Sequence, residues 1–192
     1  MSRLSPVTSD TATPEQAVVL DGILTSRGEP STLIDPAGAL VGPFNAMAMS
    51  PKIGKRASAM GAAVRFNEDI DRRLLEIAII TTGAHWRANF EWYAHSAMAR
   101  DAGVTDDVID AIAAGTPPPF TKHDEATVFA FASELLGTGR VAQPTYDAAR
   151  ELLGEPRLVD LVSTIGYYCY ISLTLNAFDV QLPSGETPMW AE

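Results

Sequence analysis

The chain has 192 residues and a mass of 20.5 kDa, and 46% of its residues are hydrophobic, enough for one compact domain with a real core and unlike a disordered or fibrous chain. Fourteen Lys and Arg against 24 Asp and Glu give a net charge of -10, which repels phosphate backbones and anionic headgroups, so neither nucleic acid nor a membrane is an expected partner. A single Cys169 excludes an intrachain disulfide, a Cys-rich zinc site and the dithiol chemistry of a C-x-x-C pair.

The first 37 residues read as an arm rich in Pro, Ser, Thr and Gly, with one short helix around Gln16 to Ser26, draped over a neighbour. No apolar run follows the N-terminal Arg3, so no secretory signal is read and a cytoplasmic location is the expectation. Ala39 to Pro51 is apolar and punctuated by Gly42, Pro43 and Pro51, which suits a buried turn and a short helix lining a pocket. Ile53, Ala57, Met60 and Val64 then recur at helical spacing from Pro51 to Arg65, and Asn67 to Asp71 offer capping side chains for the next element.

From Asp71 to Thr82 the chain is apolar nearly all round, which predicts a helix through the middle of the domain, interrupted at Gly83. Further helices are expected from Arg87 to Ala102, ending at Gly103, and from Thr105–Asp107 to Gly115. After the rigid Thr116-Pro117-Pro118-Pro119 linker, three more are expected over His123–Leu136, Gln143–Leu153 and Arg157–Val180. Leu161 to Phe178 carries no charge over a length that could span a bilayer, yet it holds Ser163, Thr164, Ser172, Thr174 and Asn176 and is bracketed by Asp160 and Asp179. A core helix at a subunit contact fits it better. No segment alternates with a period of two. The fold class is therefore all-α, one helical domain over residues 38–183 with a C-terminal tail at 184–192.

The informative segment is Ala84 to His95. On one helix Arg87, Glu91 and His95 stand at i, i+4 and i+8, a column of cation, acid and imidazole among Trp86, Phe90, Trp92 and Tyr93. A solvated salt-bridge ladder has the same spacing, but the aromatic bulk favours a desolvated column with shifted pKa values. Glu76, set in Leu-Leu-Glu-Ile-Ala-Ile-Ile, requires a partner. His95 or Arg87 on the following helix qualifies, and so does Arg72 or Arg73 on its own. A metal would need Glu76 or His85 as a further ligand, and no recognised metal spacing is present, so no metal is expected. His123 reads as a helix-start residue, the tyrosines Tyr167, Tyr168 and Tyr170 with Asn176 as core or contact residues, and Met47, Met49 and Met60 as packing.

Arg73-Leu74-Leu75-Glu76-Ile77-Ala78-Ile79-Ile80, His85 to His95, and Ala99-Arg100-Asp101-Ala102-Gly103-Val104 together resemble the carboxymuconolactone decarboxylase family. Gly42-Pro43-Phe44-Asn45 and the stretches Ile165–Tyr168 and Thr174–Phe178 extend the resemblance. The alkylhydroperoxidase D-like branch of that family carries a C-x-x-C pair on a helix, a Glu on the helix before, and a His four residues past the second Cys. Those positions fall on Glu76 and His95, while the two Cys positions hold Ala88 and Glu91. Without a thiolate, thiol peroxidase activity is not expected.

The resemblance then implies the decarboxylase branch, with no cofactor and a small unsaturated cyclic acid or lactone as substrate. Decarboxylation is the leading reaction, with hydrolysis or isomerisation using the same groups. His95 would protonate the carbanion left by CO2, Glu76 or Glu91 would orient it, Arg87 or His85 would hold a carboxylate or lactone oxygen, and Trp86, Phe44, Asn45 and Tyr167 would line the site. Assembly as a homotrimer or homohexamer is implied as well. The competing reading is a non-catalytic oligomeric protein that binds an aromatic ligand.

Overall fold

The computed structural model describes residues 2–27, 33–36 and 38–191, and among these it is helical, with a lone bridge between Ile34 and Leu40 as its only β pairing. The helices are α1 (Pro14–Arg27), α2 (Phe44–Met49), α3 (Pro51–Arg65), α4 (Arg72–His85), α5 (Asn89–Asp101), α6 (Asp106–Ala114), α7 (His123–Thr138) and α8 (Gln143–Ala177). Gly154 breaks α8 with φ 74° and ψ 163°, and Pro156 opens its second half at a position where a missing N–H costs nothing.

The apolar α4 is the axis of the domain. Every residue from Leu74 to Gly83 is buried, and α5, α6, α7 and α8 pack around it. Asp71 caps its start, its carboxylate accepting from the Arg73 amide at 2.9 Å. Arg73 then clamps α7 to α4 through Asp124 (2.7 Å) and Glu125 (2.6 Å).

Two expectations change. The arm belongs to its own chain: Thr13 and Gln16 form a reciprocal capping box that starts α1, and Val7, Val19, Leu20 and Ile23 build a second apolar cluster with Met47, Ala48, Ile171 and Leu175. Asn45, expected to line the site, instead ties the arm down, accepting from Val7 N at 2.8 Å and donating to Ser5 O at 3.1 Å. The C-terminal tail is also pinned, since the Asn89 amide bonds both the N–H and the carbonyl of Trp190, whose indole donates to Ala113 O at 3.2 Å.

The second change is at the α4–α5 turn. Helix α4 runs through Gly83 to His85 and closes with the paired bonds Ala88 N→Gly83 O (2.9 Å) and Arg87 N→Ala84 O (3.1 Å), which place Arg87 in the left-handed region at φ 48°. That is the C-terminal cap usually built on glycine. Helix α5 consequently starts at Asn89, two residues later than its spacing predicts.

Candidate functional site

Glu91 and His95 project from the buried face of α5 toward Glu76 on α4. The three side chains are 4%, 4% and 0% exposed, so their charges interact in a water-poor interior. His95 Nδ1 lies 2.8 Å from Glu76 Oε2. Arg72, one turn before Glu76 on α4, donates through Nη2 to the other carboxylate oxygen, Oε1. With the guanidinium donating to one carboxylate oxygen, the contact on the other is read with His95 Nδ1–H donating to Glu76 Oε2.

That assignment frees His95 Nε2, which lies 3.1 Å from Glu91 Oε1 at an angle that makes no hydrogen bond, leaving Oε1 buried without a partner. Burial pushes the Glu91 carboxyl above its ordinary range; the charge of Glu76 adds to the rise, and the positive field of His95 and Arg65 opposes it. Glu91 thus stands beside the free ring nitrogen with its charged form disfavoured by burial. Tyr168 covers the pair, its ring edge-to-face with His95 at 4.9 Å, and burial raises its hydroxyl well above the usual phenol range. Val64 and Ile79 complete this apolar lid. Tyr167 sits one ring further out, 5.5 Å from Tyr168, and burial raises its hydroxyl to about 12.

Of the residues expected at the site, Glu76, Glu91 and His95 converge and the others do not. The cap at φ 48° takes Arg87 off the α5 helix, so it is exposed and cannot stand over Glu91. His85 is exposed at the end of α4, and Trp86 turns its indole to Cys169 Sγ (3.3 Å) while Asn176 donates to its carbonyl (2.7 Å). Phe44 lies under the Arg27 guanidinium, 5.6 Å from ring centroid to Cζ. Arg72 had entered only as a structural partner for Glu76, in competition with His95; both bonds exist, one on each oxygen. Arg65 carried no sequence signal and Tyr168 was read only as a core or contact residue, because only the packing of α3 and α8 in the fold brings them near.

Solvent reaches this network at its Arg72 end. Arg72 is 37% exposed and lines an open hollow of about 510 Å3 with Arg65, Phe66 and Ile70. A second hollow, of about 470 Å3, lies between α5 and the tail beside Trp92 and Met189. Neither is lined by Glu91 or His95. Among the described residues no group of three His, Cys, Asp or Glu side chains is arranged to hold a metal ion.

Residues 51–134, which include Glu76, Glu91 and His95, match the model of the carboxymuconolactone decarboxylase family. Over that stretch the chain is similar to this family. Its fold is that of the alkylhydroperoxidase D-like members, as solved structures show. A peroxidase-related protein from Ralstonia eutropha, solved as an alkylhydroperoxidase AhpD core, is 15% identical with a TM-score of 0.72, over 95% of this chain and 93% of that one. A protein of unknown function from Agrobacterium tumefaciens, a suggested AhpD antioxidant defence protein, is 15% identical with a TM-score of 0.63, over 72% and 96%. The debrominase Bmp8, in a cysteine-to-alanine form with 2,3,4-tribromopyrrole, is 15% identical with a TM-score of 0.71, over 96% and 95%. At such identities the likeness is one of fold. No curated protein matches the chain.

Proposed function

We propose that this chain is a cofactor-independent acid–base enzyme that decarboxylates a small unsaturated cyclic acid or lactone, as its similarity to the carboxymuconolactone decarboxylase family suggests. One observation carries the reading: a buried imidazole stands between two buried carboxylates, one bonded by Arg72 and the other, Glu91, without a hydrogen-bond partner. Glu76 fixes the ring and its tautomer. The Glu91–His95 pair holds one transferable proton.

In the reaction, the C–C bond to the substrate carboxylate breaks, CO2 leaves, and the electron pair passes into a conjugated carbonyl as an enolate. The proton of the Glu91–His95 pair then goes to carbon, and water restores it. Each turnover consumes one proton and needs no redox partner. Hydrolysis or isomerisation would draw on the same pair.

The test is CO2 release from a panel of unsaturated lactone acids. His95→Gln is expected to lose about 10²–10⁴-fold in turnover, the range for removing a general acid–base group. Wild-type turnover in that variant, with a circular dichroism spectrum unchanged, would overturn the reading. The burial of Glu76, Glu91 and His95 favours a second one, a non-catalytic protein binding an aromatic ligand, which predicts ligand affinity without turnover of any acid in the panel. In either case the exposed apolar side of α8 supports assembly with further copies of the chain.

A further inference from the structure

The chain is acidic overall, yet three arginines gather around one exposed ring. Phe66, 56% exposed just past α3, has the Arg65 guanidinium 5.7 Å and the Arg27 guanidinium 5.9 Å from its ring centroid, and Arg72 lines the same hollow. Their commitments differ. Arg72 is bonded to Glu76 and to the Arg65 carbonyl. Arg27 is bonded to Ser58 O at 2.9 Å, and its Nε is buried without a partner. Arg65 has no carboxylate within ion-pair distance among the described residues, although it is half-buried and opens onto the hollow.

The other polar groups of the hollow do not neutralise it. Asn67 is spent on Asp160 (3.0 Å) and on the Asp69 amide (2.8 Å). Asp71 caps α4 and lies 3.8 Å from Arg73. Glu68 is exposed at the rim. What remains is an uncommitted guanidinium beside a solvent-facing phenyl ring, with Ile70 as an apolar wall. A hollow of about 510 Å3 is in the ordinary range for a small-molecule site. The field of Arg65 also reaches Glu91 and Tyr168, where it opposes the rise that burial imposes on both.

We propose that Arg65 and Phe66 form the binding lip for a small aromatic or conjugated carboxylate, the guanidinium pairing with the carboxylate and the phenyl ring stacking on the flat body. The ligand class rests on the acid substrate of the preceding reading, but the contact itself is independent of any turnover. Arg65 takes over the anchoring role that the resemblance had implied for Arg87 or His85. Bound there, the acid faces Arg72, the solvent-exposed end of the network that leads to His95.

Calorimetric titration of the whole chain with benzoate tests the lip, with benzamide as the neutral isostere and binding read well below each variant's melting temperature. Benzoate is expected to bind wild type at least tenfold more tightly than benzamide. Arg65→Gln is expected to lose at least tenfold in benzoate affinity and Phe66→Leu severalfold, while Arg150→Gln, an exposed arginine on the first half of α8, keeps wild-type affinity. Equal affinity for benzamide, or unchanged benzoate binding in Arg65→Gln, would overturn the proposal. So would the absence of benzoate binding to wild type. Because nothing here reads catalysis, benzoate binding in a protein that decarboxylates nothing sinks the enzymatic reading alone.

Discussion

Glu91 is the residue on which the proposed chemistry turns, and its titration has a signature in stability. Its folded pKa is raised by burial, so above about pH 4.3, the ordinary glutamate value, the unfolded chain releases a proton that the folded chain retains. The native state then binds more protons than the unfolded one, and stability contributed by this group falls as pH rises toward the folded value. Glutamine keeps the shape and cannot titrate. The melting temperature of Glu91→Gln, taken relative to wild type, is therefore expected to climb as pH rises above the ordinary glutamate value, in the direction set by the raised pKa. A constant difference across that range would mean that Glu91 is ionised in the fold. His95 answers to its neighbours in the same way: Glu76 fixes one face of the ring and Glu91 waits at the other, so replacing either acid alters what the imidazole can do without removing it.

Among the elements, α2 and α3 meet at a point with no spare room. A Cβ on Gly54 would fall on the backbone carbonyl of Met47, with the carbonyl carbon only 2.5 Å away. Backbone cannot step aside as a flexible side chain can, so Gly54→Ala is expected to cost about 1–3 kcal/mol or more, the range for overpacking, read from the urea unfolding midpoint. An unchanged midpoint would show that α2 shifts freely. Helix ends show how far the sequence could be read. The ends of α5 and α6 were legible because Gly103 and Gly115 occupy the left-handed cap position. The end of α4 was not, because Arg87 and not glycine takes that conformation there, and the misplaced boundary created a column of three charges where the fold has two. Glu76 and its two partners were legible for the opposite reason: a carboxylate amid Leu74, Leu75, Ile77 and Ile79 has to be paired, and the candidates were few. Tyr168 and Arg65 depend on how α8 and α3 cross the centre, which no local pattern encodes.

For the molecule as a whole, the second half of α8 is the unresolved surface. Its 18-residue apolar window meets the length and hydropathy of a membrane span, yet half of that window is buried within the chain. The outward side carries Val159 (64% exposed), Val162 (43%), Tyr170 (38%) and Leu173 (47%) at helical spacing around Gly166, whose Cβ position is open. An uncharged stripe with a small residue at its centre suits a second helix of the same kind. Val162→Glu is expected to lower the mass measured by light scattering after gel filtration, and a monomeric wild type would contradict assembly through this face. The proton arrangement at the centre is read most directly by nitrogen-15 NMR of the His95 imidazole, assigned by the signal that vanishes in His95→Gln. The expected spectrum near neutral pH places a proton on Nδ1 against Glu76, with the Nε2 signal changing when Glu91 becomes Gln. A bare Nδ1 with the proton resident on Nε2, or a ring indifferent to Glu91→Gln, would contradict the shared-proton site.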